Sequence, residues 1–301
     1  MAYDLIAATP ERLFDTATLP RNCKLTGIEE TIGGCGANIA YNCVLQGASP
    51  SLVAATGRQD DERIIDALHH MGVARDYLLR EDGPSARALI VTDAIAEQFT
   101  AFFPGPLNAP GPDDVARWRD HVRSALHAGT RVFIQAPLSP PLLMAGLEAA
   151  RAASWRGHIW CNPGQFAYQL DGEEISRIVE LADFVVGNRH EIDALQIEAN
   201  HPQTILIATD GAQPIRVCLP DRTFHIPLAT AEAVDPTGCG DAFLAALALE
   251  FESVRKQPGD PDATLRAAID AGIRLARKCL SQVGATSHSA ADRRPHRPTT
   301  T

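Results

Sequence analysis

The sequence predicts an α/β fold, a three-layer αβα sandwich on a mostly parallel sheet with a small β lid. Three observations carry this. From Ser51 onward short β-rich runs alternate with helical patterns. Two stretches, Lys24 to Ile32 and Ala86 to Phe103, break that rhythm, and no helix separates the strands of the second. Near the C-terminus a glycine-rich turn opens directly into an apolar helix.

The elements follow in order. Leu52 to Thr56 reads as a buried strand, and Asp60 to Met71 as a helix ended by Gly72. Arg131 to Gln135 is the next strand, followed by a helix over Leu142 to Ala153. The strand His158 to Cys161 leads to a helix over Glu173 to Leu181, and Asp183 to Val186 and Thr204 to Ala208 complete the set. Strands separated by helices in this way form a parallel sheet covered on both faces. Ile215 to Leu219 and Thr223 to Ile226, joined by Pro220-Asp221-Arg222, read instead as an edge hairpin, and helices over Gly240 to Val254 and Ala263 to Leu280 close the fold. Ala88 to Thr92 and Gln98 to Phe102 flank a turn at Asp93 to Glu97, either an ordinary surface hairpin or a small projecting sheet suited to a lid. The expected division is a core of 1–23, 33–84 and 105–288, a lid of 24–32 and 85–104, and a disordered tail of 289–301 rich in Arg, Pro and Thr.

Bulk properties exclude several classes. A length of 301 residues suits one large domain with a small appendage. A formal charge of −10 argues against nucleic acid and anionic membrane as partners. No apolar run approaches the roughly 18 residues of a membrane span, and no basic, then apolar, N-terminal leader is seen. Seven scattered cysteines without a CxxC pair fit reduced thiols in a cytoplasm. The ten histidines show no metal-ligand spacing, and His69-His70 reads as a solvated helix face.

The chemistry concentrates in Asp235-Pro236-Thr237-Gly238-Cys239-Gly240-Asp241, which runs straight into the apolar stretch Ala242 to Leu249. A buried helix that starts in a glycine turn presents free N–H groups and the positive end of its dipole. Glycines let a phosphate approach that backbone. Phosphoryl transfer needs mainly positioning and charge stabilisation, and a carboxylate at the helix mouth can orient the attacking hydroxyl and take its proton. A lone GxGD is equally a tight turn whose aspartate caps the helix. No GxxxxGK[ST] loop is present, nor the HRD and DFG motifs, so Walker-type nucleotide binding and protein-kinase activity are excluded.

The run Asp235 to Asp241 resembles the D-T-x-G-x-G-D signature of the ribokinase-like carbohydrate and nucleoside kinases, the PfkB family, with Pro236 where threonine is usual. The resemblance implies a ribokinase-like fold, Asp241 as catalytic base, and the amides of Gly238, Cys239 and Gly240 as an anion hole. Gly33-Gly34-Cys35-Gly36-Ala37-Asn38 resembles the family's G-G-x-x-x-N signature, which assigns Gly34 and Asn38 to substrate. Asp4 matches its sugar-binding aspartate. Asn188 and Glu191 match the N-x-x-E motif that organises Mg2+ through water, and amide and carboxylate oxygens suit that hard cation. Thr209-Asp210-Gly211 resembles the turn at the ATP phosphates, joined there by Thr237, and Gly284 to His288 resembles the stretch lining the nucleotide base.

The chain is most similar to the bacterial adenosine-kinase-like branch, through Ala2 to Ile6, Gly36 to Asn42 and Gln98 to Gly105. Phe102 would then be a lid aromatic against a base and Gln165 a polar substrate contact; Phe102 reads equally as a core residue of the hairpin. The implied function is ATP- and Mg2+-dependent phosphorylation of a hydroxymethyl group, on adenosine or a related nucleoside first and on ribose or a fructose phosphate second. A monovalent cation and a homodimer through the lid are further features of relatives. Two departures stand out. Only Met1, Ala2 and Tyr3 precede Asp4, where the family has a buried strand, and Leu19 to Gly33 is shorter than in adenosine kinases. The expectation is therefore a missing strand and a poorly held Asp4, explained either by a natural start upstream of Met1, the favoured reading, or by a true short form with reduced activity. The competing class is a catalytically inactive ligand-binding relative.

Overall fold

The computed structural model describes residues 1–9, 22–94, 98–127, 129–152, 155–197, 203–231, 233–255 and 260–288. The tail 289–301 and part of the 93–97 turn lie outside them. The chain runs β1 (Ala2–Ala8), β2 (Gly27–Gly33), α1 (Cys35–Leu45), β3 (Ser51–Gly57), α2 (Asp61–Met71), β4 (Ala74–Glu81), β5 (Ala86–Thr92) and β6 (Gln98–Phe103). It continues through α3 (Pro112–Ala125), β7 (Val132–Gln135), α4 (Pro140–Ala152), β8 (His158–Cys161), α5 (Gly172–Leu181), β9 (Phe184–Asn188) and α6 (Arg189–Ala194). The last elements are β10 (Ile205–Asp210), β11 (Gln213–Cys218), β12 (Thr223–Ile226), α7 (Cys239–Val254) and α8 (Pro261–Leu280).

The main sheet has the order β12-β11-β10-β9-β8-β7, parallel from β7 to β10 and antiparallel through the β11–β12 hairpin. Strands β3 and β4 form a separate parallel pair. One face of the main sheet packs on α7, α8 and α1 through Phe243, Leu244, Leu247, Ile269 and Ile39. The other packs on α4, α5 and α6 through Leu143, Leu147, Ile178 and Ile192. Helix α7 is apolar on all sides because it lies inside this stack: Ala242 to Ala248 are each at most 3% exposed. Gly272 of α8 permits the close approach, since a Cβ there would stand 2.7 Å from the Phe243 ring. Under the sheet Trp160 stacks on Phe184 with centroids 3.7 Å apart.

The second sheet has the order β2-β1-β5-β6. Here the structure corrects the expectation of a poorly held Asp4. Residues Ala2 to Ala8 are themselves a strand, antiparallel to β2 and parallel to β5, with Asp4 opposite Thr31 and Ala88. Asp4 is thus pinned from both sides. Residues 1–9, placed with the core from sequence, hydrogen-bond inside the sheet expected to hold only 24–32 and 85–104. The main-sheet side of the expectation is visible too. Among the described residues β3 pairs only with β4 and β7 only with β8, and a cavity of about 800 Å3 enters between them, lined by Leu52, Ala54, Ile134 and Leu249. The Met1 amine sits at its edge, bonded to the Ala55 carbonyl at 3.3 Å, and burial lowers its pKa.

Candidate active site

The cavity begins where three turns meet. The first is the turn into α7. Gly238 takes φ 79°, and a Cβ on it would stand 2.3 Å from that of Ala285, so glycine is required twice over. Asp235, buried, organises this turn. Its Oδ1 accepts from the Thr237 amide (2.9 Å) and hydroxyl (2.7 Å), and its Oδ2 from the Gly284 amide (2.8 Å). Gln98 of β6 reaches the same place, donating to Thr237 Oγ1 at 3.3 Å. The Cys239 amide turns back to the Pro236 carbonyl at 3.2 Å. Gly240 has open space around it. Asp241 stands in the first turn of α7, buried, facing the cavity.

The second turn enters α1. A Cβ on Gly33 would fall 1.9 Å from Asp4 Oδ2, and Gly34 has φ 91°. The glycine pair exists because the Asp4 carboxylate and the chain at Ala2 occupy the space of side chains there. Burial outweighs the favourable pull of the neighbouring Gly34 amide and pushes the Asp4 pKa up to about 6. One turn into α1, Asn38 donates from Nδ2 to Asp241 Oδ2 at 2.8 Å, while its buried Oδ1 has no partner among the described residues. Cys35, the first residue of α1, lines the same cavity. Burial dominates again and drives Asp241 up to about 7, against the Asn38 donor and with added repulsion from Asp4 and Glu191.

The third turn leads from β9 into α6. Asn188 Oδ1 accepts from the Glu191 amide and Glu191 Oε2 accepts from the Asn188 amide, each at 2.9 Å. This is a reciprocal capping box. Glu191 also lines the cavity, and burial raises its pKa. No group of three or more His, Cys, Asp or Glu among the described residues is arranged to hold a metal. Asn188 and Glu191 fit Mg2+ only as outer oxygens, through water; the crowding of Asp4, Asp241 and Glu191 is charge that a cation would relieve.

The predicted substrate residues Asp4, Gly34, Asn38, Phe102 and Gln165 all line this one cavity. Thr209 and Gly211 lie beside Asn188 at the C-terminal ends of β9 and β10, where α/β folds bind ligands. His288 is not among the lining residues. Its Nε2 bonds Asn42 Oδ1 at 2.8 Å and its carbonyl accepts from the Tyr41 hydroxyl, so it fastens the C-terminal segment to α1. Three residues escaped the sequence reading. Asp235 sits inside the signature that was read, and an Asx pattern with Thr237 two residues on was its signal. Cys35 carried none. Phe166 meets Phe102 edge-on at 6.4 Å across the cavity mouth, and only the fold joins the two.

A base-like carboxylate at a buried helix N-terminus, faced by a second glycine turn across one cavity in a ribokinase-like α/β fold, defines a small-molecule kinase. Residues 1–292 match the pfkB family carbohydrate kinase profile, and the chain belongs to that family. It is 27% identical over 223 residues to a nucleoside kinase of Methanothermobacter thermautotrophicus, covering 71% of this chain and 69% of the relative. A fructokinase of Klebsiella pneumoniae is 25% identical, covering 71% and 75%. Among solved structures, Burkholderia thailandensis nucleoside kinase in complex with inosine superposes with a TM-score of 0.80 at 25% identity, covering 95% of this chain and 90% of that one. Among the described residues no helix is long and apolar enough to cross a membrane.

Proposed function

We propose that this kinase transfers the γ-phosphoryl group of ATP to a hydroxymethyl group of a nucleoside, adenosine or a close relative. The observation that carries the choice is the Phe102–Phe166 pair, standing over the same cavity that Asp4, Asn38 and Asp241 line. A ribose needs the polar end alone; an aromatic pair above it suits an attached base. Likeness to two nucleoside kinases supports the reading.

In this mechanism Asp4 and the Asn38 Oδ1 receive sugar hydroxyls, and Gln165 contacts the base. Asp241, whose pKa burial raises to about 7, is matched to accepting the hydroxyl proton as the bond to phosphorus forms. The α7 N-terminus, with the amides of Gly238 and Gly240, stabilises the transferring phosphoryl charge, while the Cys239 amide expected from sequence to join them is taken by the Pro236 carbonyl. Thr209, Gly211 and Thr237 take the ATP phosphates. Mg2+, bound with ATP, supplies charge neutralisation, and Asn188 and Glu191 orient its waters. The lid sheet exposes Ile28, Leu89, Phe99 and Phe103, a face for a homodimer. A panel of nucleosides and free sugars with Mg-ATP, read as ADP release, tests the assignment. Turnover of ribose or fructose 6-phosphate above every nucleoside would replace it by a sugar kinase.

A further inference from the structure

We propose that Gln98 is a positioning residue that couples binding of the phosphoryl acceptor beneath the lid to binding of the ATP phosphates at the turn into α7. This rests on the reading of Phe102 as an acceptor contact and of that turn as the phosphate site. Gln98 opens β6, and strand alternation puts Gln98, Thr100 and Phe102 on one face. Thr100 and Phe102 line the cavity. Gln98 stands about 13 Å along the strand from Phe102, at about 3.3 Å per residue. There its side chain reaches out of the lid sheet. Its Nε2 lies 3.0 Å from Thr92 Oγ1, directly opposite on β5, 3.3 Å from Thr237 Oγ1 and 3.4 Å from Asp235 Oδ1.

A side-chain amide nitrogen carries two protons. One is held inside the lid by Thr92, and the other is shared between two groups of the phosphate turn. The direction of these bonds is fixed. Thr237 gives its own hydroxyl proton to Asp235 Oδ1 at 2.7 Å, so it turns lone pairs toward Gln98. Asp235 also holds the Thr237 amide at 2.9 Å, and Thr237 leads directly into Gly238. Thr237 is thereby gripped from the core by Asp235 and from the lid by Gln98. An acceptor seated against Phe102 steadies β6, and through Gln98 it steadies the backbone that presents the Gly238 amide. Phosphate bound at that amide steadies the lid in return, because coupling between two sites is reciprocal. One neutral hydrogen bond can carry a coupling of about 2- to 10-fold.

Titration calorimetry with adenosine and the non-hydrolysable ATP analogue AMP-PNP, each alone and each in the presence of the other, measures the coupling. In the wild-type enzyme each should tighten the other about 2- to 10-fold. Gln98→Ala should bind each alone within about twofold of wild type and bring the coupling factor close to one. Gln98→Glu, which sets a carboxylate against Asp235 Oδ1, should bring it to one or below. Thr92→Val removes the bond inside the lid and leaves the donor facing Thr237, so its coupling should match wild type. A residue that merely holds the lid together would lose as much in Thr92→Val as in Gln98→Ala. That equal loss, a factor of one in wild type, or a wild-type factor in Gln98→Ala or Gln98→Glu overturns the proposal. The parent readings fail separately. If adenosine does not bind, the nucleoside assignment falls and the same titrations with ribose test Gln98. If Gly238→Ala keeps wild-type affinity for AMP-PNP, the phosphate turn falls, whereas weakened binding there with unaltered coupling in Gln98→Ala removes only this inference.

Discussion

Replacing Asp241 by Asn should cost the enzyme its activity and raise its stability, and both halves follow from the same burial. The carboxyl has a folded value near 7 against an ordinary 3.8. The folded state therefore keeps a proton that the unfolded chain releases. Stability from this group is fully present below about pH 3.8 and is lost as pH rises through 7. At pH 8 the buried anion opposes folding by at most about 4 kcal/mol, at 1.36 kcal/mol for each pH interval between the two values. Asparagine carries no charge, keeps the volume, and can accept from Asn38 Nδ2 through its own oxygen. Asp241→Asn should melt about 2–6 °C above wild type at pH 8, with the difference shrinking toward pH 5. It should lose at least about 10²-fold in kcat while ATP affinity is nearly intact. Differential scanning calorimetry at the two pH values and steady-state ADP release decide the matter. Wild-type turnover would reduce Asp241 to a helix cap. A variant destabilised equally at pH 5 and pH 8 would mean that packing, and not buried charge, sets the local energetics.

Phe102→Ala should raise KM for a nucleoside by the equivalent of about 1–3 kcal/mol and leave ribose kinetics little changed; equal losses on both would count against a base-stacking site. Gly238→Ala puts a Cβ 2.3 Å from that of Ala285 on a left-handed backbone. The strain alone is about 1–2 kcal/mol, so ATP binding measured by calorimetry should weaken and the melting temperature fall, and an unchanged variant would refute the tight-turn argument. A fused segment of about eight apolar, β-branched residues ahead of Met1 should enter between β3 and β7 as a parallel strand, raising the melting temperature and lowering substrate KM. No change in either would show that the gap does not take a strand. Leu89→Lys on the lid face should yield a monomer by light scattering if the lid forms the dimer, and an unaltered mass would remove that interface.

The alternation of strands and helices, the edge hairpin and the glycine turn into α7 were all legible in the chain because each is a local pattern. Period, turn chemistry and an apolar run need no distant partner to be recognised. Helix α3 and strand β4 were less visible. The first carries six charged residues among its fourteen around Trp118, Val122 and Ala125, and the second, Ala-Arg-Asp-Tyr-Leu-Leu-Arg-Glu, has half its positions charged and no β-branched residue. Strand β1 lay in a stretch too short to show a period, and its pairing with β2 and β5 is what makes it a strand. The same division runs through the site. Motif residues such as Gly238, Asn38 and Asp241 could be picked out because their runs resemble the family's signatures; as isolated patterns they read equally as tight turns and a helix cap. That Asn38 touches Asp241, that Asp4 fills the space a Gly33 side chain would need, and that His288 turns toward Asn42 required the packed structure. Those contacts join residues far apart in the chain, and which groups meet, how deeply they are buried and how far their charges are disfavoured are settled only when the elements pack.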